Sequence, residues 1–191
     1  AGGGHPFVTY YQGRTDAECI ADEIRANNGL CSVLSCDVND PMKCLAALAE
    51  TVNLPPIVYY FASPKIFNRK SSVYNRALYT QFNRYYIDGF MALYQAYRTF
   101  NTHQVTLFYP SSTALDAPVR NLAEYTAAKS AGEALCQHLC VFDSNLVIIL
   151  KRLPRIATDQ TTTLVPQPAE DALDIMVDIV REMQHAHLDT R

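Results

Sequence analysis

SSTALDAPVRNLAEYTAAKSAG, the stretch from Ser111 to Gly132, decides how this chain reads. It follows an apolar run, Val105-Thr106-Leu107-Phe108-Tyr109, with the composition of a buried strand, and it ends inside a helical pattern. Ser111 and Ser112 therefore fall at the C-terminal mouth of that strand. Tyr125 and Lys129 are four apart, on one helix face and close enough to interact. To exchange protons near neutral pH a tyrosine needs its pKa lowered by roughly 3 units, about 4 kcal/mol, and a nearby ammonium favours the phenolate. Lys129 is the cation the local sequence offers for that work, and Ser112 can donate a hydrogen bond to a substrate carbonyl. Tyr125 is expected to be exposed and to contribute little packing.

The same alternation extends in both directions. Pro6–Tyr11 reads as a first strand and Gln12-Gly13-Arg14 as a turn. Thr15-Asp16-Ala17-Glu18 is a capping box that starts a helix at about Asp16, with Asn28-Gly29 as its C-cap. Leu30–Cys36 is a second strand ending in Asp37-Val38; Asp40 then caps a helix with Pro41 at its first position. Pro56–Ala62 is a third strand, followed by a loop, Ser63–Ser72, that carries Lys65, Arg69 and Lys70. Val73–Phe100 is one long helix or two abutting ones. Gln104–Tyr109 is the fourth strand, Leu122–Val141 the helix of the Tyr/Lys pair, and Asn145–Leu150 the fifth strand. A long loop, Lys151–Pro168, leads to an amphipathic helix over Ala169–His187. Strands alternating with helices give an α/β fold: a doubly wound parallel sheet of about five strands, Rossmann-like, in a single domain over residues 1–191.

Composition excludes several classes. A net charge of −3 over 191 residues leaves no basic excess for nucleic acid. No apolar run reaches the length of a membrane span and no signal peptide precedes the first strand, so the expected setting is cytoplasmic, without a membrane partner. The six cysteines make no Cys-x-x-Cys pair and no ligand pattern with the five histidines, so no metal is expected and the thiols read as reduced. Cys136 and Cys140 share a helix face, as small core residues do.

With 12 tyrosines and 5 lysines in the chain, chance alone supplies roughly 0.3 Tyr-x-x-x-Lys pairs. Context makes the pair specific: a serine after a strand, Tyr/Lys on the next helix, then another strand. That arrangement resembles the short-chain dehydrogenase/reductase family, particularly its ketoacyl-reductase branch. The resemblance implies Ser112, Tyr125 and Lys129 as catalytic serine, tyrosine and lysine, with NADP as cofactor. Arg14 would hold the 2′-phosphate, Asp37 and Val38 the adenine, Lys129 the ribose, and Thr158 would lie near the nicotinamide. Ala62 belongs to Tyr60-Phe61-Ala62-Ser63, which replaces the family's Asn-Asn-Ala-Gly and puts a side chain where the ribose would approach.

The family pattern is also incomplete. The resemblance begins at the family's second strand, so its first strand, glycine-rich turn and first helix have no counterpart here. Gly2-Gly3-Gly4 cannot replace that turn, because a strand rather than a helix follows; they read as a flexible end. The family's helix asparagine falls at Tyr86, and its Pro-Gly after the fifth strand becomes Leu153-Pro154. Either another segment or chain supplies the missing central strand, or Pro6–Tyr11 moves there. The second solution, strand order 2-1-3-4-5, is favoured because a right-handed crossover satisfies it unaided.

Two functions follow as expectations. One is hydride transfer from NADPH to a small-molecule ketone or a carrier-bound 3-oxoacyl group, the phosphate loop coming from a partner or from sequence outside this chain. The other is a truncated, non-catalytic ketoreductase-like module with a structural or interaction role in a larger synthase. A flavodoxin-like flavin site is a distant third, since no phosphate loop follows the first strand. On Val73–Phe100, Tyr79, Phe82, Tyr86, Phe90, Tyr94 and Tyr97 form one stripe, and Tyr74, Leu78 and Tyr85 widen the apolar face beyond what one sheet contact needs. In the resembled family this helix packs against its copy, so a homodimer, or docking to a related domain, is expected through 73–100.

Overall fold

The computed structural model describes residues 4–66, 74–117, 119–156 and 171–188. In chain order the elements are β1 (Phe7–Tyr10), α1 (Arg14–Ala26), β2 (Ser32–Ser35), α2 (Met42–Thr51), β3 (Ile57–Tyr59) and α3 (Arg76–Asn83). A π-helical turn (Arg84–Gly89), α4 (Phe90–Phe100), β4 (Val105–Ser112), a 3-10 turn (Thr113–Leu115), α5 (Ala123–Phe142), β5 (Leu146–Leu153) and α6 (Ala172–Leu188) follow. Two units divide the chain: residues 1–54 with 91–101, and residues 55–90 with 102–191. Among the described residues no helix is long and apolar enough to cross a membrane.

In the first unit β1 and β2 pair in parallel, Phe7 opposite Ser32. Helix α1 begins at Arg14, not Asp16, and Gly13 rather than Thr15 occupies its N-cap without a side-chain bond. The expected capping box fails because Glu18 is turned to guanidinium groups, 3.8 Å from Arg14 and 3.9 Å from Arg25. The C-terminus is as expected. Asn28 adopts φ 61°, Gly29 donates to Ile24 O at 2.9 Å and Asn28 to Arg25 O at 3.0 Å, which is the Schellman pattern. A Cβ at Gly29 would stand 2.7 Å from Ile24 Cγ2, so only glycine fits there. Helix α2 is capped by Pro41 instead of Asp40. The turn before it is organised by Asp37, whose Oδ1 accepts from the Asn39 backbone N–H at 2.9 Å.

The second unit is built on β3-β4-β5, all parallel with β4 central. Alternation places Phe108 with Ile179 and Met183 of α6, while its neighbour Tyr109 comes up against Gly132 of α5. Helices thus cover both faces. Strand β4 runs through Pro110 to Ser112, and β5 runs to Leu153, where a loop from Lys151 was expected. Pro110 has no N–H for the ladder and so reads as a strand end, yet Tyr109 and Ser111 on either side still pair with Leu150 and Arg152.

The expected order 2-1-3-4-5 is not formed. Among the described residues β1 bonds only to β2, and β3 only to β4. The burial agrees: β1 is at most half-buried along its length, whereas β4 is buried almost throughout, as a central parallel strand must be.

Val73–Phe100, read as one helix or two, is helical from Arg76, with Asn75 Oδ1 capping the Leu78 N–H at 3.1 Å and the π turn between α3 and α4. A π turn leaves carbonyls without intrahelical donors. Two buried tyrosines supply them: Tyr60 donates to Tyr85 O at 2.5 Å, and Tyr109 to Tyr86 O at 2.9 Å.

Candidate active site in the second unit

Helix α5 buries Tyr125, Ala128, Lys129, Gly132, Cys136 and Leu139, a single stripe at helical spacing. Tyr125 and Lys129 therefore face inward rather than to solvent. Tyr125 is only 7% exposed, against the expectation of an exposed residue, with the rings of Phe82 and Tyr86 set edge-on at 5.6 and 5.7 Å.

Ser112, the last residue of β4, accepts from the Ala114 N–H at 3.2 Å, which caps the 3-10 turn and fixes its hydroxyl. That hydroxyl acts on the Tyr125 phenol, opposing the upward shift that burial imposes. Ser112 and Tyr125, thirteen positions apart in the sequence, are thus brought together by the end of the central strand and the first turns of α5.

Lys129 goes elsewhere. Its Nζ donates to Pro110 O at 2.5 Å and lies 4.0 Å from the Tyr86 ring centroid and 5.0 Å from that of Tyr109. Burial pushes its pKa down to about 7, with Cys136 and Glu133 opposing. The Tyr125 phenol is shifted by burial, which raises its pKa, and by the Ser112 hydroxyl, which opposes. The expected lowering by Lys129 does not occur, because the ammonium finds a carbonyl and two ring faces on the sheet side. Burial thus favours the neutral phenol at Tyr125.

Tyr86 stands where the resemblance places a helix asparagine. Its ring stacks on Phe82 at 5.8 Å, and its hydroxyl shares a 2.6 Å hydrogen bond with Ser63. The polar network that Ser111, at the strand mouth, makes with Glu133, Arg152 and Asp116 was not anticipated. Ser111 donates to Glu133 Oε1 at 2.5 Å; Arg152 grips both Glu133 oxygens at 2.8 and 2.7 Å and Asp116 at 2.6 Å. Arg152 holds Glu133 below the usual carboxylate range. A signal for this network existed: Glu133 follows Lys129 by one helical turn, on the border of the inward stripe, where a carboxylate requires a partner.

The remaining expected residues are dispersed. In the first unit Arg14 opens α1 with its side chain 72% exposed, Asp37 is engaged in its turn and Val38 is half-buried beside it. In the second unit Ala62 is half-buried after β3. Thr158, with Arg69 and Lys70, lies outside the described residues. Among the described residues no group of three metal-ligating side chains converges.

No family model matches the sequence, and no curated protein matches it. Solved structures do. A short chain dehydrogenase from Burkholderia cenocepacia J2315, in complex with NADP, superposes with a TM-score of 0.79 at 15% identity, covering 93% of this chain and 79% of that one. The fold is that of the short-chain dehydrogenases/reductases. The FolM alternative dihydrofolate reductase 1 from Brucella canis, complexed with NADP, shares it at a TM-score of 0.74 and 13% identity over 93% of this chain and 76% of that one. A gluconate 5-dehydrogenase from Burkholderia cenocepacia J2315, with NADP and tartrate, does so at 0.71 and 15%, over 84% and 65%. On the short-chain dehydrogenase/reductase fold, the end of β4 and the start of α5 are where the Ser/Tyr pair is found here.

Proposed function

We propose that this chain is an NADP(H)-linked oxidoreductase domain of the ketoreductase type, reducing a small-molecule ketone or a carrier-bound 3-oxoacyl group. The observation that carries the reading is the placing of Tyr125, at the start of α5, in the cluster against which Ala114 packs, in the 3-10 turn that the Ser112 hydroxyl caps at the end of the central strand. Similar structures that hold NADP support it.

The residues present fit the cofactor in part. Arg14 is exposed and tied to Glu18 only at 3.8 Å, so it can exchange that partner for a phosphate. Asp37 and Val38 would face the adenine, Ala62 adds little bulk at the ribose, and Lys129 would hold the ribose once released from Pro110. Bound NADPH supplies the hydride. Ser112 orients the carbonyl, and Tyr125 passes its proton to the carbonyl oxygen as that oxygen gains charge. Burial keeps Tyr125 in the neutral, proton-bearing form that protonation of a carbonyl oxygen requires. A cytoplasmic setting and a homodimer through 73–100 belong to the same reading.

A second reading, a non-catalytic module, is favoured by one observation: the Lys129 ammonium is committed to Pro110 O and the Tyr86 ring. Thermal melts with NADPH and NADH separate the two. Ligand at 100 times its Kd adds about 2.7 kcal/mol of stability, a clear upward shift. Turnover of a 3-oxoacyl thioester that Tyr125→Phe abolishes is expected from the first reading. A flat melt with both cofactors removes it and leaves the second.

A further inference from the structure

The 3-10 turn after β4 carries Ser112 at its N-cap and Asp116 at its C-cap, yet little of it is buried. Thr113 and Asp116 are exposed, and Ser112 and Ala114 are half-buried. Its one internal backbone bond, from the Asp116 N–H to Thr113 O at 3.0 Å, closes a single turn, which is weak support for a fixed conformation. Beyond the packing of Ala114 on the Tyr125 cluster, the ties that hold this turn are polar and converge on one side chain.

Arg152 of β5 stands opposite Ser111 in the strand register. Its Nε and Nη2 donate to Glu133 Oε1 and Oε2 at 2.8 and 2.7 Å, and its Nη1 donates to Asp116 Oδ1 at 2.6 Å. Glu133 Oε1 also accepts from the Ser111 hydroxyl at 2.5 Å. The chain is thus tied on both sides of Ser112, just before it through Ser111 and just after it through Asp116. A further bond, from Thr113 Oγ1 to Leu153 O, is long at 3.4 Å. An exposed ion pair is worth little. Here the Glu133 side chain is only 12% exposed, and two parallel bonds fix the guanidinium in one orientation.

We infer that Arg152 is a positioning residue for Ser112, holding the turn in place by gripping Glu133 of α5 and Asp116 with one rigid guanidinium. It acts through the backbone that carries the Ser112 hydroxyl, not on the reacting atoms. Lysine is no substitute, because a point charge cannot make the fork to Glu133 and reach Asp116 together. The consequence for turnover rests on the NADP(H) reading; the hold on the turn does not.

Amide exchange with water, read residue by residue by NMR, tests it on the parent, Arg152→Lys and Asp116→Ala. The Ala114 N–H, which donates to Ser112 Oγ at 3.2 Å, and the Asp116 N–H report the turn. The Val105 N–H of β4 and the Thr126 N–H of α5 report the surrounding unit. Arg152→Lys should speed exchange at Ala114 and Asp116 by roughly tenfold or more, as loss of a charge-assisted hydrogen bond implies, and leave Val105 and Thr126 unchanged. Asp116→Ala, which spares the fork to Glu133, should loosen the same two amides. If the parent reduces a ketone, Arg152→Lys should lower kcat more than it raises KM; a parent without turnover ends the NADP(H) reading and leaves the exchange result standing. Unchanged exchange at Ala114 in both variants overturns the inference, and so does exchange that speeds equally at Val105 and Thr126. Should Arg152→Lys fail to fold, Asp116→Ala decides by the same two amides.

Discussion

Gly132→Ala probes the closest packing around the Ser/Tyr pair. An ideal Cβ at Gly132 would stand 2.7 Å from Cζ of Tyr109 and 3.3 Å from Cε1, and closer still to the hydroxyl oxygen. Ordinary contact begins at 3.4 Å, so the ring must retreat by more than half an ångström. It has nowhere to go: Tyr109 is fully buried, with Phe90 edge-on at 4.9 Å and Tyr60 stacked at 6.2 Å. Overpacking costs about 1–3 kcal/mol, and breaking the Tyr109 bond to Tyr86 O costs about 1 kcal/mol more. Alanine in place of glycine within a helix returns about 1 kcal/mol. The net expectation is a loss of about 1–3 kcal/mol, or a Tm lower by roughly 3–10 °C. Urea and thermal unfolding of Gly132→Ala, Tyr109→Phe and the double variant measure it. Removing the hydroxyl relieves the worst clash, so the double variant should be more stable than additivity predicts by about 1 kcal/mol. A Gly132→Ala protein as stable as the parent, or strict additivity, would refute the reasoning.

The buried ammonium gives a pH signature. The Lys129 pKa falls from 10.5 to about 7 on folding, so between those values the unfolded chain binds a proton that the folded chain has released. Stability should therefore rise with pH across that window, and Lys129→Met should flatten the rise; parallel urea-midpoint profiles for the two proteins would contradict it. Arg14→Glu is expected to weaken NADPH far more than NADH in thermal melts, because it removes a phosphate partner and adds repulsion; equal weakening would make Arg14 only the partner of Glu18. Tyr74, 59% exposed, lies on the expected association face, so Tyr74→Glu should lower the mass seen by light scattering at micromolar concentration. A monomeric mass for both proteins would end the homodimer expectation.

The β4-α5-β5 unit was legible because its signals are local: an apolar run, a helical stripe and a second apolar run. Its edges were not. Pro110 suggests a strand end on propensity alone, while pairing on both sides of it carries β4 to Ser112. The π turn leaves no mark in a pattern of threes and fours, so the stripe that contains Tyr86 gives no sign of it. Asp37 was visible as a strand-end residue, but its engagement with the Asn39 N–H depends on the turn that follows. The Arg152–Glu133–Asp116 cluster joins three elements distant in sequence, and only the position of Glu133 hinted that a partner was needed.

The Tyr/Lys pair shows where spacing stops being informative. Four residues apart fixes a shared helix face, not what each side chain then prefers. Near Tyr125, the Lys129 ammonium would stabilise a phenolate that burial otherwise opposes. Where it sits, it has a carbonyl acceptor, worth about 1.5–3 kcal/mol for a charged donor, and ring faces worth up to about 2 kcal/mol when desolvated. Those sums are comparable to the roughly 4 kcal/mol a neutral-pH phenolate demands. The inward position therefore wins while Tyr125 is a neutral phenol, and contact with a developing tyrosinate is what would draw the ammonium across. On the reading proposed above, Ser112 and Tyr125 would donate the proton, and a role for Lys129 at the phenol would require its release from Pro110.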